Sequence, residues 1–200
     1  MFSTEINASF AATGEALALL QLDRTPALLL GPYYPVNPPE SCGTRLWQGG
    51  SLPPHARTMV LDGHVMNVRH EPVAGANVEI WHADPGGVYP HPSDVDHRSA
   101  LTGFAGYGST HSDSLGRFVF QTVEPGPYAV GSIRRAPHIH VQVTGRIDRL
   151  VTQLFFPAHP LNTTDRWYRA VANPGRLLAT VTRDDDAAID LQFTLVLNNG

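Results

Sequence analysis

The run Arg134-Arg135-Ala136-Pro137-His138-Ile139-His140-Val141-Gln142-Val143 places two imidazoles where they could act together. Its apolar residues alternate, so it reads as a β-strand, in which residues i and i+2 share a face. At a rise of ~3.3 Å per residue, His138 and His140 project side by side, about 6.5–7 Å apart at Cα, while Ile139, Val141 and Val143 face the other way. Two imidazoles so placed can take adjacent positions on one metal ion. An isolated His-x-His is equally two hydrogen-bonded histidines on a wet sheet face, and additional ligands must decide between the two.

Carboxylates do not supply those ligands. A cupin-like site wants a glutamate soon after the second histidine, and Val141 to Leu150 contains none. For a zinc hydrolase, Asp148, His111 and Asp113 are poorly placed loop residues. Two tyrosines sit better. Tyr89 follows Gly86-Gly87-Val88 and precedes Pro90; Tyr128 ends the rigid turn Pro125-Gly126-Pro127-Tyr128, ten residues before His138. Two phenols and two imidazoles suit a hard trivalent ion: Fe(III) favours anionic oxygen, and its charge can ionise phenols whose free pKa is about 10. Taken singly, each tyrosine is as well explained by packing with its hydroxyl at the rim.

The elements that would carry these residues are short and turn-rich. Gly 18 and Pro 17 are high, 42% of residues are hydrophobic and 16% charged, which excludes disorder and points to a β protein. Segments 58–68, 76–83, 117–123, 138–143, 150–156, 177–182 and 189–197 read as strands separated by turn signals, an all-β, antiparallel β-sandwich over 58–200. In the last of them Ile189, Leu191, Phe193, Leu195 and Leu197 share one face. Residues 1–57 read as an N-terminal arm, with a short helix over 14–22 behind Thr13 and an extended Pro/Gly-rich strap from Pro26 to Pro54.

Charge and cysteine content narrow the partners. The net charge is −4, all 14 basic residues are arginine, and the longest basic run is Arg134-Arg135, so nucleic acid is disfavoured. No apolar run reaches the ~18 residues a membrane helix needs. The single cysteine, Cys42, and an N-terminus without signal-peptide features fit a cytoplasmic protein.

In order along the chain, Gly-Ala-Asn-Val-Glu-Ile-Trp-His-Ala-Asp-Pro-Gly-Gly-Val-Tyr (75–89), the Asp-Ser-Leu-Gly-Arg-Phe and Glu-Pro-Gly-Pro-Tyr pieces between Thr110 and Tyr128, Arg-Ala-Pro-His-Ile-His (135–140) and Leu-Val-Thr-Gln-Leu-Phe-Phe (150–156) resemble the intradiol ring-cleavage dioxygenases. The resemblance covers about 58–197. It implies a β-sandwich holding one non-haem Fe(III) through Tyr89, Tyr128, His138 and His140, with Tyr128 the ligand that leaves when a catechol chelates the metal. Arg135 matches the family arginine that stabilises negative charge on the substrate ring, and Gln153 the glutamine beside it. Trp81 is a candidate wall of the pocket, and Tyr33, Tyr34 and Tyr107 are candidate substrate contacts.

The implied reaction consumes O₂ and a catechol-type ring and yields a cis,cis-muconate carrying both oxygen atoms. In size and plan the chain is nearer the protocatechuate-type branch, because 57 residues are too few for the helical dimerisation region of catechol-type members. A protocatechuate-like or substituted catechol is the expected substrate. Hydroxyquinol or a larger catechol is the alternative, and a non-catalytic scaffold subunit a further one. With all four ligands in one chain, a self-sufficient homo-oligomer is expected, association with a related subunit being the other possibility. His82 stands where the family resemblance leads one to expect glutamine, and Tyr107 where a smaller residue is expected.

Overall fold

The computed structural model describes residues 21–38, 43–94, 98 and 100–200. The alternation over 58–68 becomes β1 (Thr58–Asn67), whose burial alternates residue by residue, as a strand with one buried face requires. There follow β2 (Asn77–Trp81), β3 (Tyr107–His111), β4 (Arg117–Val123), β5 (Tyr128–Val130), β6 (Ile133–Arg135), β7 (His138–Thr144), β8 (Arg149–Phe155), a 3₁₀ turn (Pro160–Thr163), the one-turn helix α1 (Arg166–Arg169), a second 3₁₀ turn (Pro174–Leu177), β9 (Thr180–Asp184) and β10 (Ala188–Leu197).

Two four-stranded sheets, ordered β4-β1-β10-β9 and β3-β2-β7-β8, form the sandwich, and β5-β6 is a separate hairpin. The expected antiparallel β-sandwich is therefore present, with one exception in pairing: β1 and β10 run parallel, Thr58 opposite Ala188 through Asn67 opposite Leu197. Leu61 and Val65 of β1, Phe118 and Phe120 of β4, Ile139, Val141 and Val143 of β7, and Leu191 and Leu195 of β10 belong to one buried cluster between the sheets. Gly63 lies opposite Phe118 in the ladder, where a Cβ would stand 2.1 Å from the Phe118 ring. Glycine there makes room for the phenyl group.

β7 is buried on both faces, and the outer one is covered by the strap. Backbone N–H groups of Thr25 and Leu28 donate to Val196 O and Val151 O, and Thr152 Oγ1 donates to Pro26 O. Further on, Arg45 bridges to Gln121 and Trp47 to Phe104, while Leu46 is fully buried in the core.

Three elements differ from the sequence reading. The expected strand 177–182 begins later, at Thr180: Pro174 pre-sets a 3₁₀ turn, and Leu177 closes it by packing with Ala136 and Phe155. Tyr107 lies in β3, a strand absent from the expected series, and pairs with Trp81. Tyr128 opens a hairpin strand that pairs with Arg135. Of the helix expected over 14–22, residues 14–20 lie outside the described set, and Gln21 and Leu22 are irregular. Cys42 also lies outside it. Among the described residues no helix is long and apolar enough to cross a membrane.

Candidate metal centre

β7 presents His138 and His140 outward with their Nε2 atoms 3.2 Å apart. His138 Nδ1 donates to Ala136 O at 2.7 Å, a pairing a carbonyl permits only if Nδ1 carries the proton, so His138 Nε2 is a bare lone pair. Burial, reinforced by the Arg135 charge, holds His138 well below the usual imidazole range; burial and the adjacent His138 do the same for His140. Neutral imidazoles are the form that ligates a cation.

The hairpin places the half-buried Tyr128 with its Oη 3.4 Å from His138 Nε2. Tyr89 arrives from a loop organised by Asp84, whose Oδ1 accepts the N–H groups of Gly86 and Val88 and whose Oδ2 accepts that of Leu101. Asp94 Oδ2 accepts the N–H of Tyr89 itself at 2.7 Å. The Tyr89 ring stands edge-on to Tyr128 at 5.2 Å and to His140 at 6.4 Å. Tyr89 Oη is buried with no well-formed hydrogen bond among the described residues, and burial, with Tyr128 beside it, raises its pKa well above 10; burial raises that of Tyr128 as well.

Walls close around this cluster. Trp81 stacks on His140 at 4.9 Å and 8°. Gly31, at φ +78°, leans on the same ring from the strap, where a Cβ would stand 2.9 Å from His140 Cε1. Tyr33 stacks on Tyr89 at 4.3 Å and meets Tyr128 edge-on at 6.1 Å. Tyr34 and Tyr107 turn elsewhere, both donating through Oη to Glu79 Oε1 at 2.7 Å.

Arg135 is buried beside the cluster. Its Nη2 donates to Gln153 Oε1 at 2.7 Å, its Nη1 to Tyr128 Oη at 3.3 Å, and its Nε to Asp165 Oδ2 at 2.8 Å; the guanidinium also lies 4.2 Å over Trp167. Gln153 Nε2 donates in turn to Leu29 O of the strap. Asp165 was invisible to the sequence reading. It caps α1 through Trp167 N and Tyr168 N while its other oxygen holds Arg135, and the pattern Thr-Asp before Arg-Trp-Tyr is a helix-start signal that could have found it. Glu79 was missed too; it sits two residues before Trp81, on the same face of β2.

His82 points the other way. Its Nδ1 donates to Ala83 O and its Nε2 accepts from Thr122 Oγ1, with Phe104 against the ring, so the residue ties β2 to the opposite sheet. The structure thus gathers Tyr89, Tyr128, His138 and His140, with Arg135, Gln153, Trp81 and Tyr33 around them, and leaves Tyr34, Tyr107 and His82 facing other groups.

The donor set fits a hard cation. Two neutral imidazoles converge on each other, a phenol oxygen stands within 3.4 Å of one of them, and a second phenol oxygen is buried with no well-formed hydrogen bond among the described residues. Among the described residues no three His, Cys, Asp or Glu side chains cluster, so here the oxygen donors are phenols.

Known proteins resemble this arrangement. The family described as Dioxygenase (Dioxygenase_C) matches residues 29–199. The protocatechuate 3,4-dioxygenase beta chain of Burkholderia cepacia is 32% identical over 154 residues, 72% of this chain and 66% of that protein. The catechol 1,2-dioxygenase of Acinetobacter baylyi is 29% identical over 180 residues, 82% of this chain and 56% of the relative. The chain therefore spans slightly under two thirds of the first of these relatives and just over half of the second. Among solved structures, the dioxygenase domain of a dioxygenase–carbohydrate-binding protein fusion from Streptomyces sp. SirexAA-E aligns with a TM-score of 0.69 at 30% identity, covering 89% of this chain and all of that one. A family match over most of the chain, on a β-sandwich that brings these side chains together, makes the protein a member of the intradiol ring-cleavage dioxygenase family.

Proposed function

We propose that this chain is a non-haem Fe(III) intradiol dioxygenase, with Tyr89, Tyr128, His138 and His140 as the protein ligands and a catechol-type ring as substrate. The observation that carries the reading is the meeting of two phenols and two neutral imidazoles beside a buried arginine. Fe(III) held there supplies the Lewis acidity that ionises the phenols and a chelating catechol and makes the ring reactive toward O₂.

The chain's own residues do the rest. Tyr128, less buried than Tyr89 and within reach of Arg135 Nη1, is the side chain that, once ionised, can turn away and receive a catechol proton on Oη, the same oxygen to which Arg135 Nη1 donates. Arg135 places positive charge beside the anionic ring, and Asp165 and Gln153 fix the fork of its guanidinium. Trp81 and Gly31 clamp His140 and keep water from that side. A homo-oligomer is part of the proposal; the relatives named as alpha and beta chains of protocatechuate 3,4-dioxygenase are the reason to test a related subunit as well.

The purified protein should contain iron, show a tyrosinate-to-iron charge-transfer colour and take up O₂ with catechol, incorporating both atoms of ¹⁸O₂ into a muconate. Tyr128→Phe should shift the colour and cost at least about a hundredfold in kcat. Iron-free, colourless protein that consumes no O₂ after iron loading would instead favour the scaffold reading.

A further inference from the structure

The two imidazoles of β7 are held by different means. His138 Nδ1 donates to Ala136 O, and that hydrogen bond fixes its ring. His140 Nδ1 is buried with no well-formed hydrogen bond among the described residues, so the second ring is oriented by packing. Trp81 stacks on it, and Gly31 of the strap closes on its Cε1 edge so tightly that a Cβ would stand 2.9 Å away. Trp81 is part of β2. Gly31 is only as steady as the strap that carries it.

The strap crosses the cluster between two ties. On one side Leu29 O accepts from Gln153 Nε2, the same glutamine that holds Arg135. On the other, Tyr34 Oη donates to Glu79 Oε1 at 2.7 Å, and Tyr34 O accepts from His91 Nε2 at 3.2 Å. Of these two partners, Glu79 is the one mounted on a strand, β2, and its carboxylate is itself fixed: Gln142 donates to Oε2 and Tyr107 to Oε1.

We infer that Glu79 and Tyr34 are positioning residues for His140: their bond pins the strap, and the pinned Gly31 keeps His140 Nε2 facing His138 Nε2. The inference rests on the function proposed above, to which it adds the means by which the second imidazole is oriented. The two phenols on one carboxylate provide an internal control. Tyr107 donates to the same oxygen as Tyr34, but from β3, and it is the more buried of the two. If Glu79 served stability alone, Tyr107→Phe would disturb the site at least as much as Tyr34→Phe. If the bond pins the strap, the order reverses.

The test reads the imidazole resonances of the iron-free protein by ¹H–¹⁵N NMR at neutral pH, assigned with His138→Gln and His140→Gln. Tyr34→Phe should shift or split the His140 signals while those of His138 stay in place, and Tyr107→Phe should move neither. Gly31→Ala, which forces a methyl group against the ring, should move the His140 signals further than Tyr34→Phe does. In the iron-loaded protein, Tyr34→Phe should release iron to a hydroxamate chelator about tenfold faster than wild type, and Tyr107→Phe at the wild-type rate. His140 signals that stay unmoved in Tyr34→Phe or in Gly31→Ala, or that Tyr107→Phe moves equally, overturn the assignment, as do equal release rates in the two phenol variants. If the NMR pattern is as expected but the protein takes up no iron, the function proposed above fails and the positioning of His140 by the strap stands.

Discussion

Two polar clusters share the outer face of the β3-β2-β7-β8 sheet, and they are finished differently. Around Glu79 every strong group is answered: Oε1 accepts from Tyr34 and Tyr107, Oε2 from Gln142, and Gln142 in turn accepts from Arg149. Around His140, two residues along the paired strand, Tyr89 Oη, Trp81 Nε1 and His140 Nδ1 are buried with no well-formed hydrogen bond among the described residues. Proteins satisfy nearly all buried polar atoms, so a concentration of unanswered ones marks a place shaped for something other than stability. The same face therefore holds a closed electrostatic tie and, beside it, the open proposed metal site.

Beside the open site, on the side away from Glu79, lies the buried ion pair of Arg135 with Asp165, and breaking it should have the largest effect on the fold. Asp165→Ala leaves a buried guanidinium without its counter-charge and strips α1 of its cap, for a loss of about 3–5 kcal/mol from the first cause alone. Urea unfolding at neutral pH reads this. Glu79→Gln, which keeps an acceptor for the two tyrosines, should cost no more than about half as much; equal losses would erase the distinction between the two clusters.

His82 sharpens the same comparison on the inner face. It is a buried histidine with both nitrogens committed, and burial lowers its pKa to about 4 from an ordinary value near 6.5. The unfolded chain therefore binds a proton below pH 6.5 that the folded chain refuses until about pH 4. Its contribution is complete above pH 6.5 and shrinks as the pH falls, by about 2 kcal/mol at pH 5. Unfolding midpoints of wild type and His82→Asn at pH 7 and pH 5 check this: the variant should lose less on acidification, and parallel losses would show that other groups carry the acid sensitivity.

What was legible in the sequence follows the range of the interactions. Alternating apolar residues wrote β1, β4, β7, β8 and β10 into the chain, because one face of each strand is buried regardless of its neighbours. Residue chemistry likewise singled out the tyrosines and histidines that the fold brings together. β3 was hidden, since Tyr-Gly-Ser-Thr-His has no apolar alternation and is held by pairing to β2. The β5-β6 hairpin was hidden by its three-residue strands, and Asp165 and Glu79 by sequence separations of 30 and 28 residues from Arg135 and Tyr107. Such pairings are set by the fold: a helix-start signal can mark Asp165 as a cap, but no local pattern announces Arg135 as its partner or the two tyrosines as those of Glu79.

The smallest effects should come from the two phenols on Glu79, and their pattern decides whether that cluster is closed as a unit. Tyr107 is buried, so Tyr107→Phe removes a hydrogen bond to a carboxylate that water cannot readily replace, a loss of about 1.5 kcal/mol. Tyr34 is partly exposed, its pKa raised to about 12 by burial and by the bond to Glu79, and water can take its place in Tyr34→Phe, for about 0.5 kcal/mol. Each single variant leaves Glu79 Oε1 with the other phenol. The double variant leaves that oxygen unanswered inside the protein, so its loss should exceed the sum of the singles by roughly 0.5–1 kcal/mol, measured as a double-mutant cycle in urea. A cycle that closes additively would mean that the two hydroxyls act independently, and that the Glu79 cluster is no more closed than the proposed metal site beside it.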